Sequence, residues 1–130
     1  MVVKFNVKKD VLLGAVRKAA GSWIRTKEMA LSVKSDGQGN YKVCVQSNGL
    51  YVAGCTFPAA PVGAEGEITV VVSEMFLGAV NALASLDADE FSIEIKEDRV
   101  IVALGTGEVE VPVIKEPKTS FELPGMYPLG

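Results

Sequence analysis

EITVVVSEMFLGAVNALASL (residues 67–86) passes from a β-branched run straight into a helix-forming run, with no turn residue between them. Residues 3–20, VKFNVKKDVLLGAVRKAA, make the same transition, and the two stretches share the tetrapeptide LGAV at 13–16 and 77–80. A strand–helix unit used twice predicts a duplicated fold, and the segments after each copy support it. Val3, Phe5 and Val7 alternate with polar residues as a first strand. After the first helix, MALSVKS (29–35) and YKVCVQ (41–46) read as strands joined by the turn DGQGN (36–40). LYVAGCTF (50–57) follows Asn48-Gly49, a two-residue hairpin signal. Beyond a loop, PAAPVGAEG (58–66), EITVVV (67–72) opens a second series. EFSIEIK (90–96), RVIVAL (99–104) and EVEVPVI (108–114) complete it, with turns at ED (97–98) and GTG (105–107).

The expected fold is α+β: two βαβββ halves, about 1–60 and 65–115, with two helices on one face of an antiparallel sheet. Together they make one domain of residues 1–115. Residues 116–130, EPKTSFELPGMYPLG, read as an extended, linker-like tail.

Both helices are amphipathic at the 3.6-residue period. In the first, Asp10 is the expected N-cap, and Val11, Leu12, Ala15, Val16 and Ala19 form the apolar stripe. Its opposite stripe is Asp10, Gly14, Arg17, Lys18 and Gly21. In the second, Ser73 is the expected cap and the polar stripe is Glu74, Gly78, Asn81 and Ser85. Positive charge therefore sits on one helix, where the other has Asn81 and Ala82. A two-residue turn at Asn48-Gly49 would place Cys44 opposite Ala53 and Cys55 opposite Lys42, diagonal neighbours on one face. That face would also carry Gln46 and Tyr51, opposite an apolar face of Val43, Val45 and Val52. Such thiols lie beyond easy disulfide reach and are expected to be reduced and dispensable.

Several classes of function are disfavoured. The chain has 130 residues, a net charge of −3 and no histidine, which removes the commonest general base and metal ligand together. Two cysteines eleven positions apart make no Cys-x-x-Cys pair, and no phosphate-cradling or dinucleotide glycine motif occurs. No catalytic residue, cofactor or metal is expected. With no global positive charge, a nucleic-acid contact would have to be local. There is no membrane-spanning apolar run and no secretion-like start, so a soluble cytoplasmic protein is the expectation.

Taken together, VKFNV, KKDVLLGAVRKAAG, EITVVVSEMFLGAVNAL, FSIEI, RVIVALGTGEVEVPVI and FELPG resemble the first domain of the bacterial DNA sliding clamps, the beta subunits of DNA polymerase III. The resemblance runs over about residues 2–126. Bacterial clamps carry three such domains, and this chain holds one. The stretch GSWIRTKEMAL (21–31) lacks the proline-containing segment usual there, and SNG (47–49) replaces an acidic position. The family's pocket for polymerase and loader peptides belongs to the later domains, so none of its residues transfers here.

The resemblance implies a DNA-clamp domain whose helices face duplex DNA without reading its sequence. Arg17, Lys18, Arg25 and Lys27 would then be the DNA-facing residues. It also implies a processivity module in replication, with replicative polymerase and clamp loader as partners in a full clamp. A free-standing single domain would need about six copies to build a homo-oligomeric ring of six domains. The alternative is a clamp-fold interaction or regulatory module that no longer encircles DNA, with Phe121, Leu123, Met126 and Tyr127 of the tail as a docking segment.

Overall fold

The computed structural model describes residues 2–21, 27–48, 52–62 and 66–117, with the side chains of 48 and 52–55 left aside. Among them are eight strands and two helices: β1 (Val3–Lys8), α1 (Lys9–Ala20), β2 (Glu28–Ser35), β3 (Tyr41–Asn48), β4 (Val52–Pro61), β5 (Ile68–Ser73), α2 (Met75–Leu83), β6 (Glu90–Ile95), β7 (Arg99–Leu104) and β8 (Gly107–Pro112). This is the βαβββ order twice, as the repeat predicts. The strands form one antiparallel sheet in the order β5-β2-β3-β4-β1-β6-β7-β8.

The pairing is crossed between the halves. β1 lies against β6, with Val3 opposite Ile95 and Lys8 opposite Glu90. β5 lies against β2, with Ile68 opposite Val33 and Ser73 opposite Glu28. The joints between the two four-strand groups repeat as well. At one, Phe5 pairs with Pro61 and the Val62 N–H donates to Lys4 O at 2.9 Å. At the other, Val72 bridges Val113 and the Ile114 N–H donates to Val71 O at 2.8 Å. The first and last strands of the sheet therefore meet, which requires it to curl round its own contents.

Those contents are the apolar stripes of the helices. Leu12, Ala15, Val16 and Ala19 of α1, and Phe76, Ala79, Val80 and Leu83 of α2, are all buried. They share one core with Val3, Phe5, Val7, Leu31, Ile93 and other inward strand residues. Each stripe follows the i, i+3, i+4, i+7 spacing that one side of an α-helix allows. Val11 departs from the expectation. It is 38% exposed, because it lies about a quarter-turn off the centre of that stripe. Its repeat equivalent, Met75, is 53% exposed for the same reason.

The helix starts also differ from the expected caps, by two residues in α1 and by one in α2. The N-cap of α1 is Lys8, and Asp10 sits in the first turn, where its carboxylate accepts the Val11 N–H at 3.0 Å. Glu74 is the N-cap of α2, while the Ser73 hydroxyl accepts the Met75 N–H at 3.2 Å. Val7 to Leu12 is five positions and Val72 to Phe76 is four, so the strand and helix parts of the repeat do not align at a single spacing. The loop expected from Pro58 is still strand as far as Pro61, because the end of β4 leaves β3 and crosses to β1.

The β3–β4 register is the main correction. Cys44 pairs with Thr56, and Cys55 with Val45, rather than with Ala53 and Lys42. Asn48 pairs with Val52, so three residues, 49–51, separate the paired ends instead of two. The odd change of register means that the pairing expected for the two cysteine positions does not occur. Cys44 is buried, and Tyr51 lies outside the described residues.

Gln46, expected on a polar face, is 1% exposed, and neither its amide nitrogen nor its amide oxygen has a hydrogen-bond partner. A buried polar group left unsatisfied costs about 1–3 kcal/mol. Gln46→Met keeps the volume and removes both orphan atoms. It should raise stability by about 1–2 kcal/mol in urea unfolding; a loss of stability would show that the amide is satisfied in solution.

Candidate nucleic-acid interface

The helices lie side by side, and the stripes facing away from the sheet are open. Asp10, Gly14, Arg17, Lys18 and Gly21 of the first, and Glu74, Gly78, Asn81 and Ser85 of the second, are all exposed, as the periodicity predicts. The contact between the helices falls at the repeated position itself. Asn81 Oδ1 accepts from Arg17 Nε at 3.2 Å and from Arg17 Nη2 at 3.0 Å. Arg17 and Asn81 are sixty-four positions apart, the spacing of the two LGAV copies. A pseudo-twofold axis therefore passes between them.

This gives the charge asymmetry a physical cause beyond any partner. Equivalent side chains meet at the axis, and two arginines there would place like charges in contact. Arginine on one helix and a neutral acceptor on the other remove that repulsion and add a hydrogen bond. Neither composition nor helix periodicity reveals the pair. Recognising that repeat-equivalent residues meet at an axis would have found it.

The other candidate cations are placed differently. Lys18 lies on the exposed stripe of α1, beside Arg17 in sequence. Lys27 Nζ is 3.3 Å from Glu74 Oε2, with the two side chains 55% and 58% exposed. An exposed pair of this kind contributes at most about 1 kcal/mol, but it offsets the charge that Lys27 would bring to a phosphate. Arg25 and the neighbouring Trp23 lie outside the described residues. The described part of the face thus carries Arg17, Lys18 and Lys27 against Asp10 and Glu74. A further cation, Lys9, turns away from this use. Its Nζ donates to Ala84 O and Leu86 O, both at 3.3 Å, and so caps the C-terminal end of α2.

The surface between these charges is low. A Cβ placed on Gly14 or on Gly78 would meet nothing within 4 Å. Packing therefore does not require either glycine, although glycine inside a helix costs about 0.5–1 kcal/mol relative to alanine. Gly14→Ala and Gly78→Ala should each raise stability by about that amount in chemical denaturation. Destabilisation by either would show that the helix backbone is strained there.

No protein-family model matches the chain, and neither does any curated protein. Solved structures do. The beta sliding clamp of Caulobacter crescentus superposes with a TM-score of 0.70 at 15% identity, over 93% of this chain and 33% of the clamp. The fold is that of a bacterial sliding-clamp domain. The DNA polymerase III beta subunit of Pseudomonas aeruginosa gives 0.66 at 16% identity, over 91% of this chain and 31% of its own. That of Thermotoga maritima gives 0.66 at 16%, over 98% and 33%. The chain spans about a third of the length of the clamps it matches.

Within the clamp domain, the two longest stretches of strand edge with no strand on their second side, among the described residues, lie one in each half. They are Val52–Ala59 of β4 and Gly107–Pro112 of β8. Pro58, at the first edge, and Pro112, at the second, each remove a backbone donor and limit how a further strand could add. Also among the described residues, no helix is long and apolar enough to cross a membrane.

Proposed function

We propose that this clamp domain is a module of a DNA sliding clamp, acting as a processivity factor in replication and having no catalysis of its own. The observation that carries the reading is the helix pair. Two antiparallel helices on one side of a curled sheet present a continuous, low, exposed face with a cation at its centre. Duplex DNA carries a dense row of phosphates, and a few lysines and arginines attract it without regard to sequence. Arg17, Lys18, Arg25 and Lys27 are the residues proposed to face it, with Lys27 weakened by Glu74.

Encirclement needs more than one such domain. The unpaired edges of β4 and β8 occupy equivalent places in the two halves. Pairing one copy's β4 with the next copy's β8 is a head-to-tail contact, which closes into a ring when the rotation suits. About six copies would give a six-domain ring. In a longer chain, further domains would occupy those edges, and replicative polymerase and clamp loader would be the protein partners. The setting proposed is the cytoplasm.

A second reading follows from the charge of the face, where Asp10 and Glu74 nearly balance the described cations. A clamp-fold interaction module that no longer encircles DNA would have such a face. The docking tail expected for it, Phe121 to Tyr127, lies outside the described residues. Solution mass with and without duplex DNA, together with retention on circular and linear DNA, separates the two. An oligomer that ignores both DNA forms supports the second reading.

A further inference from the structure

We propose that Asn81 is a positioning residue, and that the Arg17 guanidinium it holds is the point where the helix face takes a phosphodiester oxygen. This rests on the reading that the face meets DNA. A guanidinium offers five N–H donors in a rigid planar fork. Asn81 Oδ1 takes Nε–H and one Nη2–H, which together form the side edge of that plane. Three donors remain: both of Nη1 and the second of Nη2. One from each nitrogen lies along the end edge, the one that grips two oxygens of a phosphate or one oxygen doubly, and the last points back toward the Cδ of the arginine itself.

The choice of partner matters. A carboxylate in place of Asn81 would orient the fork equally well but cancel its charge, as Glu74 does for Lys27. An amide oxygen orients the fork and leaves the charge in place. An arginine already ordered in the unbound protein loses less side-chain entropy when it meets an anion. The approach is also open. Gly14 and Gly78 precede Arg17 and Asn81 by three positions on their helices, and a side chain at either would project into empty space. Nothing from these two positions stands beside the fork. Both Arg17 and Asn81 are exposed, so the pair adds little to folding and its cost is not explained by packing.

The test uses the full chain and a short mixed-sequence duplex at low salt, with the Arg17 Nε–H resonance followed by NMR and affinity measured over a salt series. In the parent protein, duplex should shift that resonance. Asn81→Ala keeps the net charge, so the salt slope should stay the same while affinity falls about three- to tenfold, as expected for one lost constraint on a charged hydrogen bond. Asn81→Asp keeps the acceptor but cancels the charge, and should lower the slope by about one, as Arg17→Ala does. Thermal melts of all three should match the parent. If Asn81→Ala binds as tightly as the parent, the arginine needs no positioning and the proposal is overturned. If binding persists unchanged in Arg17→Ala while other residues of the face shift, Arg17 is not the contact, although the face still meets DNA. If duplex shifts no resonance on either helix, the DNA-facing reading fails first and this proposal fails with it.

Discussion

Phe76→Ala should destabilise the protein by about 3–5 kcal/mol, and Leu12→Ala by about 2–5 kcal/mol. The two residues are repeat equivalents, each 1% exposed and part of the single core. Truncating either removes a large apolar side chain from water-free packing and leaves a cavity that the flanking strands cannot close without moving. A domain of this size has about 5–15 kcal/mol to lose, so each change takes a large share. At roughly 3–6 °C per kcal/mol, the melting temperature should fall by about 10 °C or more. Val11→Ala and Met75→Ala, also repeat equivalents but exposed, should stay within about 0.5 kcal/mol of the parent. The contrast between the pairs tests which way the helices face. Equal effects in both pairs would mean the faces are wrongly assigned.

The largest difference of all is expected between circular and linear DNA. A closed ring is held by topology, whereas an open domain is held only by its contacts. If all four proposed cations meet phosphate, the salt exponent is about 3.6, and a fourfold rise in salt weakens contact-only binding about a hundredfold. A lone copy should therefore be lost from both DNA forms at physiological salt. An assembled ring should stay on circular DNA and slide off linear DNA. Alanine at Arg17, Lys18 and Arg25 should each flatten the salt dependence by about one unit of slope. Lys27→Ala should flatten it less, because Glu74 already offsets that charge. Retention unchanged after all four substitutions would remove these residues as the site. Sequence-selective binding would do the same, because phosphate contacts carry no base information.

How far the sequence leads depends on the range of the signal. Alternation in Phe91, Ile93 and Ile95, and the i, i+3, i+4, i+7 stripes of the helices, are local patterns, and the strands and helix faces follow from them. The LGAV repeat extends this to tertiary structure, since a duplicated unit implies a dyad. The hairpin register failed because Asn48-Gly49 signals a turn without fixing how many residues the loop consumes, and a miscount there shifts every pair. Lys27 and Glu74 are far apart in the chain and share no motif, so their ion pair has no sequence signature. The same holds for Lys9 capping a helix seventy-five positions away. Charge alone marked Arg17, Lys18, Arg25 and Lys27 as a group; only geometry separates their surroundings.

The crossing of the first strands has a consequence for how the chain is made. β1 is made well before its main partner, β6, which is more than eighty residues further along. Until then β1 has only the two pairs with the end of β4, at Phe5–Pro61 and Asn6–Ala60. At about 5–20 residues per second, the wait is roughly 4–18 s. Throughout that interval Val3, Phe5 and Val7, all destined for the core, belong to a strand with one long edge unpaired. A nascent chain in that state is open to adventitious strand pairing. The interleaving that welds the halves into one sheet in the finished protein leaves β1 waiting for most of its pairing while the second half is made.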